Sequence, residues 1–234
     1  MIPIIILAGG LATRLRPITE TIPKSLVEIN GRPFVLHQID LLIESGITKL
    51  HFCLGYLGEK IETIVSEYTS EKKIEISFSY DGEILLGTGG AIKKALQYVS
   101  EPFFITYGDS YLEIDYKLML KQYDLNKDKY SGMMAVYKNI GIFDVNNVSF
   151  ENGNLHYSKK NPTDNMHYID YGVGILKYKP FETYALDQSF DLSELYENLS
   201  KNNLLKAFEV TNRFYEIGSF NGINDISQYL KNKI

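Results

Sequence analysis

A single cysteine stands among the 234 residues, so no disulfide can form within the chain. It is Cys53, in the apolar run His51-Phe52-Cys53-Leu54 with no base or cation motif beside it. That setting points to a buried strand residue rather than a reactive thiol. A basic surplus is missing too: 24 lysines and arginines face 29 acids, for a net charge of −5. This excludes nucleic acid as a bulk partner, because nothing is left over to neutralise a phosphate backbone. It does not exclude one nucleotide, which needs only a few local cations. No apolar run reaches the ~20 residues of a membrane span, and Met1-Ile2-Pro3-Ile4 lacks the basic region of a signal peptide. The expectation is a cytoplasmic protein with no membrane partner. The four histidines, His37, His51, His156 and His167, lack metal-ligand spacing, which argues against zinc. Neither a P-loop, a dinucleotide-binding glycine fingerprint nor a nucleophile elbow is present.

What is present is a strand–helix alternation up to about residue 125. Residues 2–8 read as a strand. Residues 34–45 carry apolar side chains at helical spacing and stop at Gly46. Strands follow at 49–54, 74–80 and 102–107, with helices at 58–68 and 89–98. This spacing predicts an α/β fold with a mostly parallel, doubly wound sheet, whose ligands bind at the carboxyl ends of the strands. After residue 129 short strands cluster at 132–138, 145–150, 154–157 and 169–177, with a turn at Glu151-Asn152-Gly153-Asn154. Helices are expected there at 180–185, 192–202 and 222–233. No linker or repeat divides the chain. One domain, 1–234, is expected, with a nucleotide-binding lobe (1–128) and a mixed C-terminal lobe for a second substrate (129–234).

The run Ile4-Ile5-Ile6-Leu7-Ala8-Gly9-Gly10 followed by Arg14 and Pro23-Lys24 carries the most chemistry. A buried strand feeds a glycine turn whose backbone N–H groups lie bare, and two cations follow. Such a loop can hold a polyphosphate. Arg14 would grip the outer phosphates with its fork, and Lys24 would act as a point charge near the α-phosphate. An ordinary strand-to-helix turn with scattered surface cations is the plain alternative. At Tyr107-Gly108-Asp109 a carboxylate ends a buried strand, where a hard cation such as Mg²⁺ could share oxygens with a phosphate. Otherwise Asp109 is a cap. Leu85-Leu86-Gly87-Thr88-Gly89-Gly90 opens a helix, either as a glycine-rich cap with Thr88 capping or as backbone that a flat base can approach. Asp81 and Glu83, just upstream, are solvated loop acids or acceptors for the N1–H and N2–H₂ donors of guanine.

These motifs, in this order over nearly the whole chain, resemble the sugar-phosphate nucleotidyltransferase family (G-G-x-G-T-R-L, then P-K). Ala12 departs from that pattern by standing where the family has glycine. The short length and L-G-T-G-G look most like the bacterial heptose 1-phosphate guanylyltransferases. The resemblance implies a Rossmann-like fold and the reaction of an NTP, GTP favoured, with a sugar 1-phosphate, giving NDP-sugar and pyrophosphate. It places the nucleotide on Leu7, Ala8, Gly9, Gly10, Gly87 and Thr88. A second metal ligand is implied at Glu216, in Phe214-Tyr215-Glu216-Ile217-Gly218, where the family has Asp. For the sugar phosphate it implies Lys160 or Lys159, although the family's acids are absent beside them. For the sugar hydroxyls it implies Asp170, in place of the family's Asn, and the backbone at Gly172. A UTP- or CTP-dependent enzyme, a glycosyltransferase and a non-catalytic nucleotide-sugar-binding protein are the other readings. Asp109-Ser110-Tyr111 lacks the D-x-D of the glycosyltransferases, and assembly into a homo-oligomer is left open.

Overall fold

The structure is a computed structural model that describes every residue except 12, 140, 142, 152, 153 and 234. The backbone at Ala12 and the centre of the expected 151–154 turn therefore lie outside the described residues. The strands are β1 (Ile4–Ala8), β2 (Glu28–Ile29), β3 (Arg32–Pro33), β4 (Lys49–Leu54), β5 (Glu75–Tyr80), β6 (Phe103–Tyr107), β7 (Ser110–Tyr111), β8 (Gly132–Lys138), β9 (Val148–Glu151), β10 (Asn154–Tyr157), β11 (Tyr168–Leu176), β12 (Leu205–Val210) and β13 (Tyr215–Glu216). The helices are α1 (Phe34–Glu44), α2 (Gly58–Thr69), α3 (Gly87–Ala95), α4 (Tyr116–Asp124), α5 (Leu192–Lys201) and α6 (Phe220–Lys233).

One nine-stranded sheet runs through both halves of the chain. Pairing gives the order β12-β8-β11-β6-β1-β4-β5, with the β9–β10 hairpin attached at the start of β11. β6, β1, β4 and β5 are mutually parallel, as are β8 and β12, whereas β11 runs antiparallel to both β6 and β8. The sheet is covered on both faces, which explains why β1 is continuously apolar. Ile4 and Ile6 pack with α1, α2 and α4, and Ile5 packs on the other side with α3 and α5. A third apolar cluster joins α6 to Ile29, Phe34 and Ile217. It fastens the last helix next to β13.

Three expectations need correction. No helix covers 180–185; there is only a 3₁₀ turn at Lys179–Phe181. The Gln188 side chain takes the Ala185 N–H at 3.1 Å, which competes with helix continuation. The strand expected from 145 begins at Val148. Ahead of it the Asn139 amide bonds Asp144 O and Asn146 Oδ1 and holds a loop. β12 was not anticipated, although Leu205, Ala207 and Val210 are buried along it.

Candidate active site

At the carboxyl ends of β1, β4 and β6 lies a cleft of about 310 Å³. Leu7, Ala8, Gly9 and Gly10 form one wall, and Lys24, Ser25, Cys53, Asp81, Leu85, Gly87, Thr88, Ala91, Tyr107, Gly108 and Asp109 the rest. The two glycines after β1 differ. A Cβ on Gly9 would come within 3.1 Å of Gly55 N, so its smoothness serves the packing of β1 against the end of β4. A Cβ on Gly10 would meet nothing within 4 Å, which leaves that backbone free to face a ligand. Pro23, in an extended conformation, precedes a 3₁₀ turn at Lys24–Leu26. The turn points Lys24 across the cleft mouth, where Nζ lies 2.6 Å from Asp109 Oδ2.

Asp109 sits in the tight connection between β6 and β7. Its Oδ1 accepts a hydrogen bond from Ser110 Oγ at 3.0 Å, and its carbonyl accepts one from Ile217 N–H at 2.9 Å. That second bond extends the antiparallel pair β7–β13, in which Glu216 lies opposite Ser110. Two carboxylates distant in sequence are thereby brought to one rim. Glu216 Oε2 accepts from Gly218 N–H, and Oε1 from Ser219 Oγ at 3.2 Å. The position a Cβ on Gly218 would take lies against Glu216 Oε2 and 3.0 Å from Lys24 Nζ. Glu216 and the Lys24 ammonium therefore face the same small space. Among the described residues no group of three or more His, Cys, Asp or Glu is placed to hold a metal ion by itself. A pair of carboxylates suits a hard cation that keeps waters and takes its other oxygens from a phosphate.

Elsewhere in the lining, Asp81 Oδ2 accepts from Leu86 N–H at 3.3 Å. Burial raises its carboxyl above the usual carboxylate value, against the Leu86 bond and the nearby Lys94. Glu83 is exposed and is not part of the cleft lining. Arg14 is likewise exposed, on the 3₁₀ turn Thr13–Leu15, away from the lining. Gly87 and Thr88 do line the cleft, but the glycines beyond them have a second cause. Cβ atoms on Gly87 and Gly90 would come within 2.7 Å of Phe190 O and 2.6 Å of Gln188 O. A Cβ on Gly89 would run into the Phe190 ring. Thr88 does not cap its own helix. Its Oγ1 accepts from Leu192 N–H at 2.8 Å, at the start of α5.

The residues expected on the sugar side stand next to this cleft, around Tyr107, rather than in its lining. β11 bulges between Asp170 and Gly174, a device that re-aims side chains near sites. Within the bulge Gly172 has φ +94° and donates its N–H to Asp170 Oδ1 at 3.0 Å. A Cβ on Gly172 would lie 3.5 Å from the Tyr107 ring. Burial pushes the Asp170 carboxyl up to about 6, while the Gly172 N–H and Lys159 pull it down. Burial and the facing Asp170 raise the hydroxyls of Tyr107 and Tyr196 well above the ordinary tyrosine value. Lys159 pairs with Asp191 (3.0 Å), and Lys160, more exposed, with Glu194 (3.9 Å). Lys159 is the one electrostatically coupled to Asp170.

Several lining residues carried no signal of their own in the sequence: Cys53, Leu85 and Ala91 are apolar surface. Ser25 adjoins Lys24, and its buried hydroxyl has no partner among the described residues. Gln38 lies behind the cleft, 2 % exposed on the buried face of α1, and its Nε2 bonds both Tyr107 O and Ser110 O at 2.8 Å. The signal for Gln38 was legible: a lone amide on an otherwise apolar helix face.

The sequence model described as nucleotidyl transferase matches residues 4–140, more than half of the chain. The chain is 28% identical to the D-glycero-alpha-D-manno-heptose 1-phosphate guanylyltransferase of Campylobacter jejuni over 92% of this chain and 93% of that protein. It is 40% identical to the mannose-1-phosphate guanyltransferase of Saccharomyces cerevisiae, over 48% of this chain and 32% of that one. The chain spans only about a third of the length of such fungal relatives. The crystal structure of HddC from Yersinia pseudotuberculosis complexed with GMP-PN superposes with a TM-score of 0.75 at 25% identity, covering 98% of this chain and 100% of that one. The putative glucose-1-phosphate thymidylyltransferase of Bacillus anthracis, at 17% identity, shares the fold with a TM-score of 0.82 over 100% and 96% of the chains. A parallel sheet ending in a glycine turn, with Lys24 and Asp109 meeting across its carboxyl edge, is thus found in a chain that belongs to the nucleotidyl transferase family.

Proposed function

We propose that this chain joins a nucleoside triphosphate to a sugar 1-phosphate, releasing pyrophosphate and forming an NDP-sugar, in the cytoplasm. The observation that carries the reading is the contact of Lys24 with Asp109 at the mouth of a cleft walled by Gly10 on one side and Gly87-Thr88 on the other. The N-terminal lobe, 1–128, would hold the nucleotide, and the lobe from 129 the sugar phosphate.

An oxygen of the sugar phosphate attacks the α-phosphorus in line. The new P–O bond forms as the bond to the β-phosphate oxygen breaks, and its electron pair leaves with pyrophosphate. No covalent enzyme intermediate is required. Asp109 and Glu216 would hold Mg²⁺, which supplies charge neutralisation at the phosphates. Lys24 exchanges its carboxylate partner for the α-phosphate oxygens, where charge grows in the transition state. Ser25, with a hydroxyl lacking a protein partner, stands at the same wall. Arg14, exposed on its turn, reaches the outer phosphates only if that turn folds over them.

Asp81 rather than Glu83 is our choice for reading guanine, because only Asp81 lines the cleft. A carboxylate can accept from both guanine donors, and the guanylyltransferases among the relatives support GTP. Asp170 and the Gly172 backbone would meet sugar hydroxyls, with Lys159 near the sugar phosphate and Lys160 further out. A heptose 1-phosphate is the first candidate. Pyrophosphate release, measured with four NTPs against a panel of hexose and heptose 1-phosphates, tests the reading. Release with no combination, by folded protein supplied with Mg²⁺, rejects it in favour of a binding protein.

A further inference from the structure

We propose that Gln38 is a positioning residue that fixes the Asp109 carboxylate for its cation. This rests on the reading of Asp109 given above. The connection between β6 and β7 turns two carbonyls, Tyr107 O and Ser110 O, inward toward α1. Both end on the same nitrogen, Gln38 Nε2, at 2.8 Å each. They bracket Gly108-Asp109, so one side chain ties together the two ends of the turn that carries the carboxylate. The outer side of the same turn is held by Ile217 N–H on Asp109 O, which also sets Glu216 in place.

The chemistry of the clamp is selective. Two convergent buried carbonyls need two donors on one atom, which a primary amide supplies and a hydroxyl or neutral imidazole does not. The reverse orientation of the amide would oppose three oxygens, so the hydrogen-bond network fixes which atom is nitrogen. Asn is one methylene shorter. Gln38 Oε1, in turn, is buried without a partner among the described residues. A side chain kept only for stability would not leave an acceptor orphaned in a helix face that Phe34, Ile39, Leu41 and Leu42 otherwise make apolar. The amide is explained by what its donors hold.

The test uses Gln38→Glu, nearly isosteric but short of donors, and Gln38→Met. Mn²⁺ binding to the folded proteins is followed by electron paramagnetic resonance, with Asp109→Ala as control. Loss of a group that orients a ligand typically weakens metal binding by ~10–100-fold, and that loss is expected in both variants. In turnover assays kcat should fall while KM for the nucleotide stays within about twofold. A merely structural residue would lower the folded fraction and leave Mn²⁺ affinity of the folded protein unchanged. That outcome overturns the proposal. If neither variant folds, the native protein decides: the Gln38 side-chain amide protons should be protected from solvent exchange in NMR spectra, and free exchange of both overturns the clamp. Should Asp109→Ala bind Mn²⁺ as tightly as the parent, the metal reading itself fails and the positioning role of Gln38 falls with it, an outcome distinct from unchanged affinity in the Gln38 variants alone.

Discussion

Lys24 Nζ lies 2.6 Å from Asp109 Oδ2, so the cation proposed for a phosphate and the carboxylate proposed for a metal neutralise each other at the cleft. Both side chains are partly exposed, at 21% and 36%, and the pair is correspondingly weak as a source of stability. On the proposed reading it gives way when a nucleotide and its cation arrive. On the proposed reading the two groups serve chemistry rather than stability, and two predictions separate them.

Replacing Asp109 by Ala should lower turnover at saturating substrates by at least ~100-fold, about 2.7 kcal/mol of barrier, with little loss of thermal stability. Steady-state assays in Mg²⁺ beside a melting curve check it. Near-normal turnover in the folded variant would remove Asp109 from the reaction.

Lys24→Ala should lower kcat by more than it raises KM for the nucleotide, because charge at the α-phosphate grows only on the way to the transition state. A change confined to KM would make Lys24 a ground-state binder.

Asp81→Ala should cost GTP at least about tenfold in kcat/KM relative to UTP, as a charged hydrogen bond worth roughly 1.5–3 kcal/mol is lost. Glu83→Ala should leave the ratio unchanged, since Glu83 lies outside the cleft lining. Competition kinetics among the four NTPs measures both. An unaltered ratio in Asp81→Ala means that backbone alone reads the base.

Asp170 gives a pH signature. Its carboxyl is raised from 3.8 to about 6 by burial, so the folded chain holds a proton that the unfolded chain releases. Stability from this group is complete below about pH 4 and is lost as pH rises through 6, on the order of 3 kcal/mol. Denaturant titrations at pH 4 and pH 7 should show the parent losing most of this relative to Asp170→Asn. Equal pH dependence in the two proteins would refute the raised value.

The alternation of strands and helices was legible because β1, β4 and β6 are apolar on both faces and the helices between them are periodic. That Asp109 and Lys24 line one cleft is legible from their places after a strand and a proline. The neighbourhood of Glu216 could not be derived from spacing, because it depends on β13 returning to pair with β7. Resemblance alone pointed there. Arg14 is picked out by its spacing after the glycine pair and Glu83 by its charge upstream of the glycines, and neither signal says which way a loop residue faces; both are exposed and outside the cleft lining. The glycines at 87, 89 and 90 read as an approach for a ligand, yet Phe190 and Gln188 crowd all three, and nothing local announces a partner so far along the chain.

That crowding has a consequence for redesign. The Phe190 N–H and carbonyl bond Leu86 O and Gly89 N, and Thr88 holds the start of α5, where Asp191 engages Lys159. The wall proposed for the base and the lysine proposed for the sugar phosphate are therefore one mechanical piece. Burial raises the Asp191 carboxyl, but the Ser193 N–H and Lys159 more than offset that and leave it below the usual value. Grafting a loop from a relative with another base preference at 85–90 alone would strand Phe190 against foreign side chains. The segments 85–90 and 188–192 would have to be exchanged as a cassette, so evolution of new donors and new acceptors in this scaffold is expected to move in tandem.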